Sequence, residues 1–360
     1  MLRTISNAYL GQKEPISLVH FVTNRCNARC THCFIDFDHP EIFKGELTLE
    51  EIEQLTKNLG KSLFNVNLTG GEPFLRKDFF EIVQSYFRNT TIGSVYITSN
   101  GMYTQLTKEF LDKFVLSGIK GKITFSFSVD GIGEDHDEIR KVKGLYDNVV
   151  ETYRLVQSFS EHNVNGKIGI TVTDKNYDRV VDVYRTLKDE LGVSGVTATL
   201  MREEGVVKRI DPAVKKEIHE SYSNLIELIH ADIVSGKMEG YRRNLQGMLM
   251  NAKNLIVNNI QIDTYLNPHY VSPCPAAALF GVIGTRGEVY PCEILDKPLG
   301  NLRDYDMDLM KLWKDDGCKE AKDFIKDTHC NCSYECAWSI NVISNKRYIP
   351  RLIKNTLKQL

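Results

Sequence analysis

Nine cysteines are spread unevenly over 360 residues. Three stand at Cys26, Cys30 and Cys33, the other six lie after residue 270, and residues 34 to 273 hold none. Cysteines used as core filler would scatter, so this clustering predicts two separate thiol sites. The start of the chain, Met1 to Gln12, lacks an apolar run of signal-peptide length. A reducing cytoplasm is therefore expected, where thiols serve as metal ligands or in catalysis rather than in disulfides. No run approaches the roughly 18 apolar residues of a membrane span. Formal net charge is -2, from 45 basic and 47 acidic side chains. That balance gives no reason to expect nucleic acid as a partner.

The cysteine-free stretch alternates strand and helix patterns. Ile16, Leu18, His20 and Val22 form a first strand that ends at the cysteine loop, with His20 expected as a packed core residue. Thr48 and Glu51 make a capping box ahead of Ile52 and Leu55. Further strands are expected near Phe64–Leu68, Val95–Thr98, Ile123–Val129, Ile168–Val172 and Val196–Met201, separated by helices such as Asn148–Phe159 and Val180–Leu191. Strand alternating with helix predicts a parallel sheet. The fold class expected is α/β, a partial (β/α)6 TIM-like barrel with a small cysteine-rich α+β domain after it. Chemistry in barrels collects on loops after the strand C-termini. The unusual residues stand there: the cysteines after strand one, Gly70 to Pro73 after strand two, Asn100 after strand three, Asp130 after strand four. The expected division is a barrel at 1–205, a helical connector at 206–270, a cysteine-rich domain at 271–345 and a basic tail at 346–360, the last read as a solvated helix.

Cys26-x3-Cys30-x2-Cys33 places three thiolates on one loop, enough for three irons of a cubane cluster. A closed site wants four protein ligands, so three leave one iron open to another molecule. This spacing resembles that of the radical S-adenosylmethionine (SAM) superfamily, and Thr69-Gly70-Gly71-Glu72-Pro73 resembles that family's segment at the SAM amino group. The resemblance implies SAM and a [4Fe-4S] cluster as cofactors, and reductive cleavage of SAM to a 5'-deoxyadenosyl radical that abstracts hydrogen from substrate. It also implies SAM contacts at His32, beside the adenine, and at Gly70, Gly71, Glu72 and Pro73. Ser126, Ser128 and Asp130 resemble the family segment at the SAM ribose and carboxylate, Asn100 lies in a turn that resembles the family's strand-three turn at SAM, and Arg202 is a candidate for the SAM carboxylate.

Cys274 and Cys292 flank an expected hairpin, Phe280–Ile283 and Glu288–Tyr290, with Gly287 in its turn. Cys330, Cys332 and Cys336 follow. This arrangement resembles the C-terminal extension of SPASM and twitch-type radical SAM enzymes and implies a second, auxiliary [4Fe-4S] cluster on four of those five thiols. Cys274, Cys292 and Cys336 are the firmer ligands, with Cys330 and Cys332 competing for the fourth place; Cys318, on a charged helical stretch, is set aside. A structural zinc site from the same thiols stays open. Expected partners are a small-molecule or peptide substrate and an electron donor such as flavodoxin or ferredoxin. Only about 15 residues precede the first strand, which tilts toward a small molecule or a peptide presented by another protein. Activation of a glycyl-radical enzyme, or a non-catalytic iron-sulfur redox protein, are the rival readings; the second has no need of Glu72.

Overall fold

Hydrophobic alternation along the strands and the 3.6-residue period along the helices decide which faces meet. The computed structural model describes residues 5–11, 14–203, 209–241 and 244–360. Its βα series runs β1 (Ser17–Thr23), α1 (Leu49–Lys57), β2 (Asn65–Gly70), α2 (Phe79–Asn89), β3 (Ser94–Ser99), α3 (Thr104–Leu116) and β4 (Lys122–Ser128). It continues with α4 (Glu134–Arg140), α5 (Leu145–Ser158), β5 (Val164–Val172), α6 (Val180–Arg185) and β6 (Val196–Leu200). The six strands pair in parallel and in sequence order. One face carries Val66, Leu68, Val95, Ile97, Ile123, Phe125 and Phe127, all buried with Ile82, Val83, Phe110 and Phe114 of the helices. Alternate residues on the same strands are polar (Asn67, Thr98, Thr124, Ser126, Lys167), which leaves the concave side fit for a polar ligand.

His20 faces the helix layer, fully buried, with Nδ1 2.8 Å from the Tyr86 hydroxyl. Burial drops its pKa to about 3, so it packs as a neutral ring. The capping box at Thr48 forms as the sequence predicts. Strand β5 begins four residues before the predicted Ile168. After Val164 its leading residues are polar or glycine, and Gly166 fits because a Cβ there would stand 3.1 Å from the Tyr153 ring.

Two helices fill the expected connector: α7 (Pro212–Ser235), started by the Asp211 cap and ended by Gly236 at φ 77, and α8 (Leu245–Tyr265). Beyond them come β7 (Phe280–Ile283), β8 (Glu288–Tyr290), β9 (Gly300–Asn301), α9 (Asp316–Asp327), α10 (Glu335–Ser344) and α11 (Ile349–Leu357). β7 pairs in parallel with β1, Ser17 opposite Phe280 through His20 opposite Ile283. The cysteine-rich region therefore extends the barrel sheet, in the order β6-β5-β4-β3-β2-β1-β7-β8-β9, and the sheet stays unclosed. α11 is more than a solvated tail: Tyr348 just before it and its Leu352 pack with Ala252, Ile256 and Ile260 of α8 and Trp338 and Val342 of α10.

Candidate active site

The loop after β1 is held from below by the loop after β2. The Gly71 amide donates to the Thr23 carbonyl and the Glu72 amide to the Arg25 carbonyl, each at 2.7 Å. Both glycines are needed for that approach. A Cβ on Gly70, at φ +149, would lie 2.1 Å from the Thr23 oxygen, and one on Gly71 would lie 2.2 Å from the Arg25 oxygen. The close approach is thus to the cysteine loop itself. Glu72 is fully buried and joins the loops after β2 and β3. Its carboxylate accepts from the Phe74 amide (3.2 Å), the Ser99 hydroxyl (2.9 Å) and the Asn100 amide (2.7 Å). Those donors take three of about four acceptor positions. Burial still wins over them and raises its pKa to about 7. Asn100 in turn reaches the cysteine loop: its Nδ2 donates to Asn27 Oδ1 at 2.8 Å and lies 3.9 Å from Cys26 Sγ. Pro73 is buried at the start of a short 3-10 turn.

The other wall comes from the loop after β4. Asp130 is fully buried, and its Oδ2 accepts from Arg140 Nε (2.9 Å) and Nη2 (2.6 Å) while Oδ1 accepts from the Thr171 amide (2.8 Å). Burial pushes this carboxyl up, and Arg140, His32 and His136 override it and hold the pKa below the ordinary value. Arg140 Nη1 lies 3.8 Å from Cys30 Sγ, and the Arg29 and Thr31 amides donate to the Arg140 and Ile139 carbonyls. His32 Nε2 is 3.7 Å from Asp130 Oδ2, and its Nδ1 is buried with no protein partner. Ser126 is buried on β4 and Ser128 is half-buried at its end. Burial pushes the Cys26 thiol up to about 12, and Glu72, Cys30 and Cys33 add to the rise. A cleft of about 720 Å³ opens over this loop, lined by Cys30, Cys33, Asp36, Asp174, Lys175 and Asp211 among others, a size suited to a small ligand or a peptide segment.

In the cysteine-rich region, Cys274, Cys292, Cys330 and Cys332 lie within electrostatic reach of one another. Burial raises Cys274 and Cys332 to about 12, and in both the Cys292 and Cys330 thiols add to the rise. Cys336 is engaged differently. Its thiol donates to Glu293 Oε2 at 2.5 Å, and Arg202 Nη2 stands 2.5 Å from that same oxygen and 3.2 Å from Cys336 Sγ. The Arg202 guanidinium lies 5.4 Å from the Phe34 ring and 5.4 Å from the Tyr334 ring. It spans from the residue after Cys33 to the segment that carries Cys336. Cys318 is buried and donates to the Ala277 carbonyl at 3.1 Å, a packing role.

Comparison with known proteins adds a family. Residues 21–187 match the Radical SAM superfamily model. That segment carries a radical SAM domain. It is 31% identical over 171 residues to the sporulation killing factor maturation protein SkfB of Bacillus subtilis (strain 168), covering 47% of this chain and 38% of that protein. It is 25% identical over 288 residues to the AdoMet-dependent heme synthase of Methanosarcina barkeri (strain Fusaro / DSM 804), covering 79% and 78%. The chain spans about two fifths of the length of the first curated relatives it matches. In fold it resembles native anSMEcpe with bound AdoMet and Cp18Cys peptide, with a TM-score of 0.58, 21% identity and coverage of 95% of this chain and 99% of that one. Enzymes of that superfamily use SAM and a [4Fe-4S] cluster as cofactors.

The residues present suit those cofactors. Among the described residues no three His, Cys, Asp or Glu side chains converge tightly enough for a single metal ion. A cubane spreads its thiolates over separate irons, which is the demand the Cys26 loop meets with soft donors alone. The orphaned His32 Nδ1 and Asn27 Nδ2 beside that loop are buried polar atoms that a bound ligand could satisfy. Three of the residues singled out from sequence have partners within the protein. The Glu72 oxygens face the chain's own donors, Asp130 is committed to Arg140, and Arg202 is committed to Glu293 and Cys336. Glu72 and Asp130 are buried and Arg202 is half-buried, and each finds a partner within the protein. Sequence reading missed Arg140, His136 and Asn27. The i, i+4 spacing of His136 and Arg140 on the helix after Asp130 was the available signal.

Proposed function

We propose that this chain generates a substrate radical in the cleft over Cys30 and Cys33. The observation that carries the proposal is that cleft, floored by two thiols of a three-thiol loop whose backbone is clamped by Gly70 and Gly71. Cys26, Cys30 and Cys33 would hold the cluster. When bound, the cluster and SAM supply one-electron cleavage to a 5'-deoxyadenosyl radical that takes hydrogen from substrate. The remaining work belongs to the chain. Arg140 and the Asn100 side-chain amide bring positive charge and a donor to the Cys30 and Cys26 sulfurs. Asp130 fixes Arg140, Glu72 fixes Asn100, and His32 leaves a ring nitrogen free toward the ligand.

For the auxiliary site we favour Cys274, Cys292, Cys330 and Cys332 as ligands, with Cys336 held apart by Glu293 and Arg202. That assignment replaces Cys336 as a firm ligand and ends the competition between Cys330 and Cys332, since both are used. Oxidation, bond formation or epimerisation at a substrate carbon all fit such a site. A peptide substrate is favoured by SkfB, a maturation protein by name, and by the Cp18Cys peptide in the anSMEcpe structure. A non-peptide substrate is the second reading, favoured by the heme synthase match, which spans most of both chains. Thiols gathered as ligand sets rather than disulfides suit a cytoplasmic setting with a flavodoxin or ferredoxin donor. Among the described residues no helix is long and apolar enough to cross a membrane. The test is anaerobic incubation with SAM and dithionite. Release of 5'-deoxyadenosine and methionine, abolished in Cys26→Ala, is expected; no release from protein reconstituted with full iron would sink the proposal.

A further inference from the structure

A second surface, remote in role from the cysteine sites, lies on the outer side of α11. Ile349, Ile353, Leu357 and Leu360 recur at helical spacing and are 38%, 55%, 59% and 86% exposed. The adjoining arc of the same helix, Leu352 and Thr356, is buried, with Leu352 packed against α8. α8 adds exposed apolar residues to the same face. The Gln359 amide donates to the Met248 carbonyl at 2.9 Å, which sets the end of α11 beside the start of α8, where Leu245 is 75% and Leu249 37% exposed.

The charges around this face are one-sided. Lys346, Arg347, Arg351, Lys354 and Lys358 are all exposed. The sequence has no Asp or Glu from Ala337 to Leu360, nor from Leu245 to Ile262. On a helical wheel Lys354, Lys358 and Arg351 flank the exposed apolar arc on the side away from α8. An exposed apolar stripe bordered only by cations is the pattern of a helix lying in a membrane interface. The alternatives fit less well. A second copy would set five cations against five. Nucleic acid has no use for six exposed aliphatic side chains. A partner peptide docks in a groove, and this face is the outer ridge of a packed helix.

We propose that the α11–α8 face binds the surface of an anionic phospholipid bilayer, peripherally, with Ile353, Leu357 and Leu360 inserted and Lys354 and Lys358 at the headgroups. This inference is independent of the chemistry proposed for the cysteines. It is tested by flotation of the full, cluster-loaded chain with phosphatidylglycerol vesicles and with phosphatidylcholine vesicles. Flotation with the first, at least about tenfold weaker with the second and lost in high salt, is expected. The double variants Ile353→Gln/Leu357→Gln and Lys354→Glu/Lys358→Glu should each weaken binding at least about tenfold. Both pairs are solvent-exposed, and unchanged thermal melts would show that the fold is intact. Absence of flotation with phosphatidylglycerol overturns the proposal, as does binding that neither double variant weakens. Self-association that Ile353→Gln/Leu357→Gln abolishes, with no vesicle binding, would overturn it in favour of a second copy.

Discussion

Replacing Glu72 by glutamine should change how stability depends on pH more than it changes stability itself. The carboxyl titrates at about 7 in the fold, against 4.5 for the free group, because burial outweighs its three hydrogen bonds. An acid whose folded pKa is raised binds more protons folded than unfolded. Its contribution to stability is therefore greatest in acid and is lost as pH rises through 7. At 1.36 kcal/mol per pKa unit, the whole span is worth about 3 kcal/mol, most of it between about pH 5 and pH 8. A glutamine side chain cannot titrate, and its amide leaves one buried donor without an acceptor, a roughly constant cost of about 1–3 kcal/mol. With an unfolding entropy of about 2 cal/mol/K per residue, the melting-temperature gap between wild type and Glu72→Gln should narrow by about 3 °C from pH 5 to pH 8. Differential scanning fluorimetry of the chelator-treated, reduced apoproteins measures it. Parallel melting curves across that range would refute the claim that burial dominates at Glu72.

Gly71→Ala should fold but load less iron at the first site, since its Cβ meets the Arg25 carbonyl at 2.2 Å and must push the cysteine loop away; iron per chain after reconstitution reports it. Arg140→Ala should destabilise by about 3–5 kcal/mol, because it leaves the buried Asp130 carboxylate unpaired; Asp130→Asn placed in the same variant should recover part of that loss in a thermal melt. Cys332→Ala should lose about four irons, one cubane, whereas Cys336→Ala and Cys318→Ala should keep the wild-type count, by iron assay and electron paramagnetic resonance. An equal loss in Cys336→Ala would place that thiol among the ligands.

What could be read from sequence follows from where local chemistry decides. The Thr48 capping box, the alternation of β2 to β4 and the loop positions of Cys26, Gly70, Asn100 and Asp130 are local patterns, and the structure keeps them. Long-range pairing is another matter. Glu72 was legible as a site carboxylate, but that its oxygens meet Ser99 and Asn100 depends on β2 and β3 lying side by side. Arg202 was legible as a cation at a strand end, and its partner Glu293 is 91 residues away. Helix α8 was legible only as part of a helical connector, its bounds blurred because its apolar residues are interrupted by Asn251, Asn258 and Gln261, which are buried and hydrogen-bonded in the fold.

The relation between the two thiol sites is the least local property of all, and one strand pair accounts for it. β7 adds to β1 in parallel over four residues, so both strands point toward the same end of the sheet. The Cys26 loop leaves β1 at that end, and the turn out of β7 is there too: Asn24 Nδ2 donates to Thr285 Oγ1 at 3.1 Å. The chain then returns along β8, antiparallel to β7, to Cys292 and Glu293. Arg202 closes the remaining gap from the β6 side, with its guanidinium between Phe34 and Tyr334. A shift of β7 by one residue would invert its side chains between the two faces and move both cysteine sites relative to each other, which ties the spacing of the sites to the core packing of Val19, Phe280 and Val282.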